Sequence, residues 1–177
     1  FIVKSIVQPL NDAVRGADEV ADGKFDGKLD DSRGDEVGRL LKAMTRMRTR
    51  IADVLQAQAE MERQHDAGTI SYRMDEKRFP GEYGRMIGGT NALVGSHVEM
   101  ANRMLHTIER YSLGDLSVDM DRLPGEKAGI TAAMDTTKAN LSAINAQIRE
   151  LAAAAAAGDF SQRGDESRFQ HDFRAMV

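Results

Sequence analysis

Four glycines recur in one local setting, and they constrain the fold more than any other feature of the chain. Each follows a helix-like stretch and precedes a polar and then a large apolar residue: Gly23-Lys24-Phe25, Gly68-Thr69-Ile70, Gly114-Asp115-Leu116 and Gly158-Asp159-Phe160. The intervals are 45, 46 and 44 residues. A second series, Glu36, Glu82, Glu126 and Gln170, follows each glycine by 12 to 14 residues. Two series in step define a repeat of about 45 residues, with the fourth copy incomplete. Glycine just past a helix tolerates positive φ and serves as a C-cap. An acid in the first turn of a helix meets the positive end of its dipole. Pro80 and Pro124 stand directly before Gly-Glu and end the preceding connector. Each repeat therefore reads as helix, connector of about a dozen residues, helix.

The helical stretches carry apolar residues in steps of three and four. Before Gly23 these are Ile6, Leu10, Ala13, Ala17 and Val20; after Glu36 they are Val37, Leu40, Met44, Met47, Ile51 and Val54. After Glu126 the run is Ile130, Met134, Thr137, Leu141, Ile144, Ile148 and Leu151. This period means a left-handed coiled-coil seam. Between Glu82 and Tyr111 two adjacent stripes run side by side. One is Met86, Thr90, Leu93, His97, Met100 and Met104; the other is Ile87, Asn91, Val94, Val98, Ala101, Leu105 and Ile108. A face that wide suits a four-helix bundle, in which each helix touches two neighbours. No strong turn signal interrupts this stretch, or the one from Val37 to Ala67, so each is expected to be one continuous helix.

A helix of ~15 residues is ~22 Å long, and a dozen extended residues reach about 40 Å. The connectors can thus run back along the first helix and start a second one parallel to it. Apolar pairs four residues apart, Phe25 and Leu29, Ile70 and Met74, Leu116 and Met120, are placed to pin the returning strand between helices.

Composition narrows the function. Of 177 residues, 41% are hydrophobic, 5% aromatic and 29% charged, which suits thin helical bundles better than a large globular core. The chain has no Cys, excluding disulfides and thiolate sites. A net charge of −4 argues against a broad nucleic-acid surface. The sequence lacks the ~18-residue apolar run of a membrane span. His65, His97, His106 and His171 show no metal-ligand spacing, and no phosphate loop is present. Met44, Met47, Met86, Met100, Met104 and Met134 read as adaptable core. No cofactor or small-molecule ligand is expected.

An early Pro9, then Gly23-x-Phe25, Leu29 and Asp35-Glu36-Val37-Gly38 together resemble a HAMP domain, the signal-relay module of bacterial transmembrane receptors, adenylate cyclases and histidine kinases. Residues 1–55 carry this pattern most fully. Residues 56–99 and 100–147 resemble divergent, helix-fused HAMP units, with Phe79-Pro80-Gly81-Glu82 and Leu123-Pro124-Gly125-Glu126 at the second-helix start. Residues 148–177 resemble the beginning of a fourth, with Gly164 at the second connector position and Gln170 in place of the acid. The resemblance implies an all-α fold: a homodimer forming parallel four-helix coiled-coil bundles stacked end to end. The wide apolar face of each two-helix repeat independently asks for a second chain.

The resemblance also implies roles. Glu36, Glu82 and Glu126 would bond back to the base of the neighbouring first helix, beyond their helix-start role. Pro9 would mark where a membrane-derived helix enters, and Phe1–Val7 would be the end of that helix. Gly84 matches Gly38 of the Glu-x-Gly motif, and Gly158 and Phe160 open the fourth connector. The implied function is a non-enzymatic relay on the cytoplasmic side of the bacterial inner membrane, most simply in a methyl-accepting chemotaxis protein. A membrane helix would lie upstream in the same chain and an output domain downstream. The alternative is the relay segment of a sensor histidine kinase or nucleotide cyclase. Thr90, His97 and Thr137 in the seams are expected to weaken any single packing.

Overall fold

The computed structural model describes residues 6–176, so the first five residues of the proposed membrane-exit segment Phe1–Val7 lie outside the described residues. The chain is all-helical, as its repeat pattern implies, and no strand occurs among the described residues. The α-helices are α1 (Gln8–Ala21), α2 (Glu36–Asp66), α3 (Glu82–Ser112), α4 (Ala128–Ala156) and α5 (His171–Met176). Single 3-10 turns at Glu76–Arg78, Gly125–Lys127 and Glu166–Arg168 precede the last three. α2 and α3, 31 residues each, are the two long continuous helices expected from uninterrupted seams.

The four marker glycines end α1 to α4 in one way. Gly23, Gly68, Gly114 and Gly158 have φ of 77°, 88°, 81° and 85°. In each case the glycine N–H bonds three residues back and the next N–H five back, as in Gly114 N to Tyr111 O (3.0 Å) and Asp115 N to Arg110 O (3.0 Å). This paired pattern satisfies carbonyls that the helix end leaves open. Pro9 sits in the first turn of α1, where its missing N–H costs nothing.

The chain divides into two compact units, Phe1–Val98 and Glu99–Val177. In the first unit, Ala13, Leu41 and Met44 form a small core with Leu29 and Val37. A larger one gathers Val54, Met61, Met74, Phe79 and Ile87. In the second unit, Tyr111, Met120 and Met134 form the core, joined by Met104, Leu116, Val118, Leu123 and Leu141. Each core is thus made from a helix, the connector after it and the next helix.

The single chain covers only part of each seam. In α1, Ala13 and Gly16 are buried, while Leu10 and, just before the helix, Ile6 are exposed; in α2, Leu41 and Met44 are buried, while Leu40 and Met47 are exposed. In α3 the two stripes divide differently in the two units. Within the first unit, Ile87 is buried and Asn91, Val94 and Val98 are half-buried, whereas Met86 and Leu93 are exposed. Within the second, Thr107 and Tyr111 are buried and Met100 and Met104 half-buried, whereas Leu105 and Ile108 are exposed. Each stripe is therefore covered over one part of its length and bare over the other.

Candidate functional site: the connectors between paired helices

Hydrogen bonds along the third connector fix the direction of its helices. Tyr111 Oη donates to the Val118 carbonyl at 3.2 Å, and Lys138 Nζ donates to the same carbonyl at 3.1 Å. Three residues on, Thr131 Oγ1 donates to the Asp121 carbonyl at 2.8 Å and accepts from Leu123 N at 3.2 Å. Arg103 pairs with Asp121, and Arg122 with Asp135. As the connector advances from 118 to 123, its α3 contacts fall from 111 to 103 and its α4 contacts from 138 to 131. Both helices run against the connector, so they are parallel, as connector length had suggested.

The second connector is held by different side chains in the same places. Asn91 Nδ2 donates to the Met74 carbonyl at 2.8 Å, and its Oδ1 accepts from Met74 N at 3.0 Å. The amide satisfies both polar groups of a buried residue. His65 Nε2 lies 3.2 Å from the Tyr72 carbonyl. It stands three residues before its capping glycine, as Tyr111 does. In the first repeat Leu29 lies against Gly16 of α1, where a Cβ would come within 2.8 Å of Leu29 Cδ2. Asn91, His65, Tyr111, Thr131 and Lys138 were not among the residues singled out from sequence. Their signal was a polar or aromatic side chain inside or beside an apolar stripe.

The singled-out residues fall into distinct settings. The second apolar connector position faces inward: Met74 and Met120 are buried and Leu29 is half-buried. The first position is far more open. Phe25 and Leu116 are half-buried, Ile70 is exposed, and Phe160 is 74% exposed. The second member of each pair is thus the more deeply seated in the groove of its own chain, although Leu116 also packs against the Tyr111, Met120 and Met134 core. Glu36 is exposed in the first turn of α2, whose N-cap is the neighbouring Asp35, accepting from Gly38 N at 3.0 Å. Glu82 is exposed and pairs with Arg85 on its own helix. Glu126 lies in the 3-10 turn before α4. Gly38 and Gly84 share one role: a Cβ at either would strike the carbonyl of the residue five before it, Arg33 or Phe79. These two glycines let the helix start close against the end of the connector. Ala128 stands there in the third repeat.

The fourth connector repeats the second at a spacing of 90 residues. Asp75-Glu76-Lys77-Arg78-Phe79 matches Asp165-Glu166-Ser167-Arg168-Phe169. Both segments form a 3-10 turn capped by the aspartate, and both bury the phenylalanine, to 8% and 6% exposure. Arg73 Nη1 donates to the carbonyls of Ile70 and Tyr72 at 2.9 and 2.7 Å; Arg163 Nη1 donates to those of Phe160 and Gln162, each at 2.8 Å. His171, with φ of 50°, takes the left-handed position that Gly81 (59°) and Gly125 (58°) hold. This register corrects the assignment of Gln170 as the fourth helix-start residue. Gln170 corresponds to Pro80 and Pro124, and Asp172 supplies the acid in the first turn of α5. The second and fourth connectors share a 14-residue interval between glycine and acid, longer than the other two.

Short-range bonds hold several connector acids in the charged form. Asp115 is held at a pKa of about 2 by the Ser117 hydroxyl and backbone N–H, then by Arg110. Asp35 is held at about 2 by Arg33, then by the Gly38 N–H. Asp159 is lowered likewise by Ser161 and Gln162. Among the described residues no three His, Cys, Asp or Glu side chains are grouped to hold a metal ion. What the connectors offer is mechanical: they clamp two parallel helices and leave an apolar flank bare.

Comparison with known proteins agrees with this architecture. Residues 1–53 match the family model of the HAMP domain, and residues 100–142 match that of HAMP N-terminal domain 3. Methyl-accepting chemotaxis protein McpB of Pseudomonas aeruginosa is 39% identical over 98 residues, covering 55% of this chain and 14% of that protein. The chain thus spans a small part of that relative's length. These two family matches lie on the first and third copies of a repeat whose every copy has the same capped helix ends, so residues 1–53 and 100–142 are HAMP domains joined in one chain.

Proposed function

We propose that this chain is a signal-relay segment of a bacterial chemoreceptor, acting without catalysis on the cytoplasmic side of the inner membrane. Its units would be residues 1–55, 56–99, 100–147 and, incomplete, 148–177. No helix among the described residues is long and apolar enough to cross a membrane; in the proposed relay the input enters through α1. The HAMP matches and the similarity to McpB support the relay role.

The observation that carries the mechanism is the division of the α3 stripes. Leu93 is 60% exposed in the first unit and Ile108 48% exposed in the second, although both lie on apolar stripes. A second copy of the chain, packed in parallel, would cover them and complete a four-helix bundle at each repeat. Each such side chain gains ~1.5–3 kcal/mol on full burial. Helix motion at the input would then repack the first bundle, and the continuous helices α2 and α3 would pass the change onward. Thr90, His97 and Thr137 lie half-buried or exposed along these seams. Leucine at any of them would favour one packing and fix the output.

Sedimentation of the chain at about 10 μM tests the dimer. The expected species is a dimer, converted to monomer by Leu93→Asp or Ile108→Asp. A fully helical monomer in the wild type would overturn the bundle and, with it, the relay mechanism.

A further inference from the structure

Arg48 of α2 is 4% exposed, yet its guanidinium is poorly satisfied. Its Nε, Nη1 and Nη2 atoms are shielded from solvent and donate no hydrogen bond among the described residues. Its charge is balanced by Glu19 of α1, whose Oε2 lies 3.4 Å from Nη1 and whose side chain is 34% exposed. A charge-assisted hydrogen bond of this type closes to about 2.7–2.9 Å, so the pair attracts without a bond. The connector backbone lies over it. A Cβ at Gly27 would collide with both the guanidinium and the Glu19 carboxylate.

The third repeat shows the satisfied counterpart. Arg48 stands four residues after buried Met44, and Lys138 four residues after buried Met134. Lys138 Nζ donates to Asp119 Oδ1 at 2.7 Å and to the Val118 carbonyl at 3.1 Å, and its side chain is 24% exposed. The same register thus holds a doubly bonded, partly exposed cation in one repeat and a buried, under-bonded one in the other. Burying an ion is tolerated only where its partners replace water. The first repeat meets that condition incompletely.

We propose that Glu19 and Arg48 form a latch that makes the packing of α1 on α2 bistable, and that the latch sets how the first HAMP domain answers a displacement of α1. The observed packing leaves the pair open. A shift of α1 by well under one ångström that shortens the Nη1–Oε2 distance closes it, at the cost of the fit between Ala13, Leu29 and Met44. Two packings then compete, one favoured by the apolar core and the other by the ion pair. The chemical demand comes from the guanidinium, so an apolar side chain of similar length removes it. This inference rests on the relay reading for its purpose but not for its test.

Methyl relaxation-dispersion NMR of methionine-labelled chain reads the two packings at Met44 on the microsecond–millisecond scale. The wild type should show exchange at Met44. Arg48→Met should abolish it and raise the midpoint of thermal unfolding by about 3 °C. Glu19→Gln should lower that midpoint, and the loss should vanish in the Arg48→Met background. Lys138→Met should leave exchange at Met44 in place. Exchange at Met44 that persists in Arg48→Met would overturn the latch, as would its absence from the wild type. A monomer in sedimentation would instead count against the relay reading while leaving the latch intact.

Discussion

The first and second repeats use one plan to different effect. The second holds itself together within a single chain: Phe79, Met74 and Ile87 fill the space between α2 and α3, and Asn91 bonds both polar groups of Met74. The first has a core of Ala13, Leu41 and Met44, a half-buried Leu29, and a buried arginine with an incomplete partner. Exposed apolar residues are also denser there, with Ile6, Val7, Leu10 and Val14 all on or beside α1. The difference teaches that the connector, more than the seam, decides how firmly one chain specifies its own helix pairing. A repeat with a weakly gripping connector leaves its packing to be chosen by what enters from outside. That property would suit the first repeat's place in the proposed relay.

The largest effect should come from the residue that best separates the two. Phe79→Ala empties the second core and should cost ~3–5 kcal/mol, measured by urea unfolding. Leu29→Ala in the first repeat should cost less than ~2 kcal/mol, since its side chain is only half-buried. Equal losses would erase the contrast between the repeats. Asn91→Leu comes next. It keeps the branched shape but strands the Met74 N–H and carbonyl in a buried site, a loss of ~2–3 kcal/mol. Amide exchange at Met74 should accelerate to the rate of an open connector.

Much of this was legible in the sequence, because it rests on strong local signals. The spacing of Gly23, Gly68, Gly114 and Gly158 gave the helix ends, since little else takes a left-handed cap so readily. The double stripe between Glu82 and Ile108 announced a helix with two partners. The tertiary pins were not legible. Asn91 fell on an apolar stripe as if it were filler, because its partner is the backbone of a residue 17 positions away. Arg48 was passed over, since a charged residue on a helix ordinarily lies on the solvated face. Gln170 was misassigned by carrying forward the shorter interval of the third repeat. The longer interval of the second repeat, 14 residues from Gly68 to Glu82, leads from Gly158 to Asp172.

Two glycines of α3 sharpen the comparison at a smaller scale. A Cβ at Gly84 would lie 2.5 Å from the Phe79 carbonyl, whereas one at Gly89 meets nothing within 4 Å. Gly84→Ala should therefore destabilise the second repeat, and Ala128 shows that the third, with its different turn, has no such need. Gly89→Ala should stabilise α3 by ~0.5–1 kcal/mol through helix propensity. A loss at Gly89 in place of a gain would place the second chain of the proposed dimer against that face.

The smallest effect concerns acid. Asp35 of the first repeat is the N-cap of α2, and its pKa falls from 3.8 to about 2 on folding, chiefly through Arg33 and then the Gly38 N–H. A carboxyl with a depressed folded pKa contributes stability in full above its unfolded value and loses it as pH falls through its folded value. The window is therefore about pH 4 down to 2. Asp115 of the third repeat, held at about 2 by Ser117 and Arg110, loses its contribution over the same range. The second repeat caps its 3-10 turn with Asp75, which accepts from Lys77 N at 3.2 Å. Circular dichroism on titration from pH 5 to 2 should show a shallower loss of stability in Asp35→Asn than in the wild type. The second repeat also carries a depressed carboxyl, Glu60, held at about 2 by Arg63 and then Gln64, but its core rests on Phe79 and Asn91, which do not titrate in this range, so its core residues should keep their amide protection to lower pH than those of the first. Simultaneous loss in both would mean that the two repeats unfold as one body, and that the weak grip of the first connector is compensated by the helix they share.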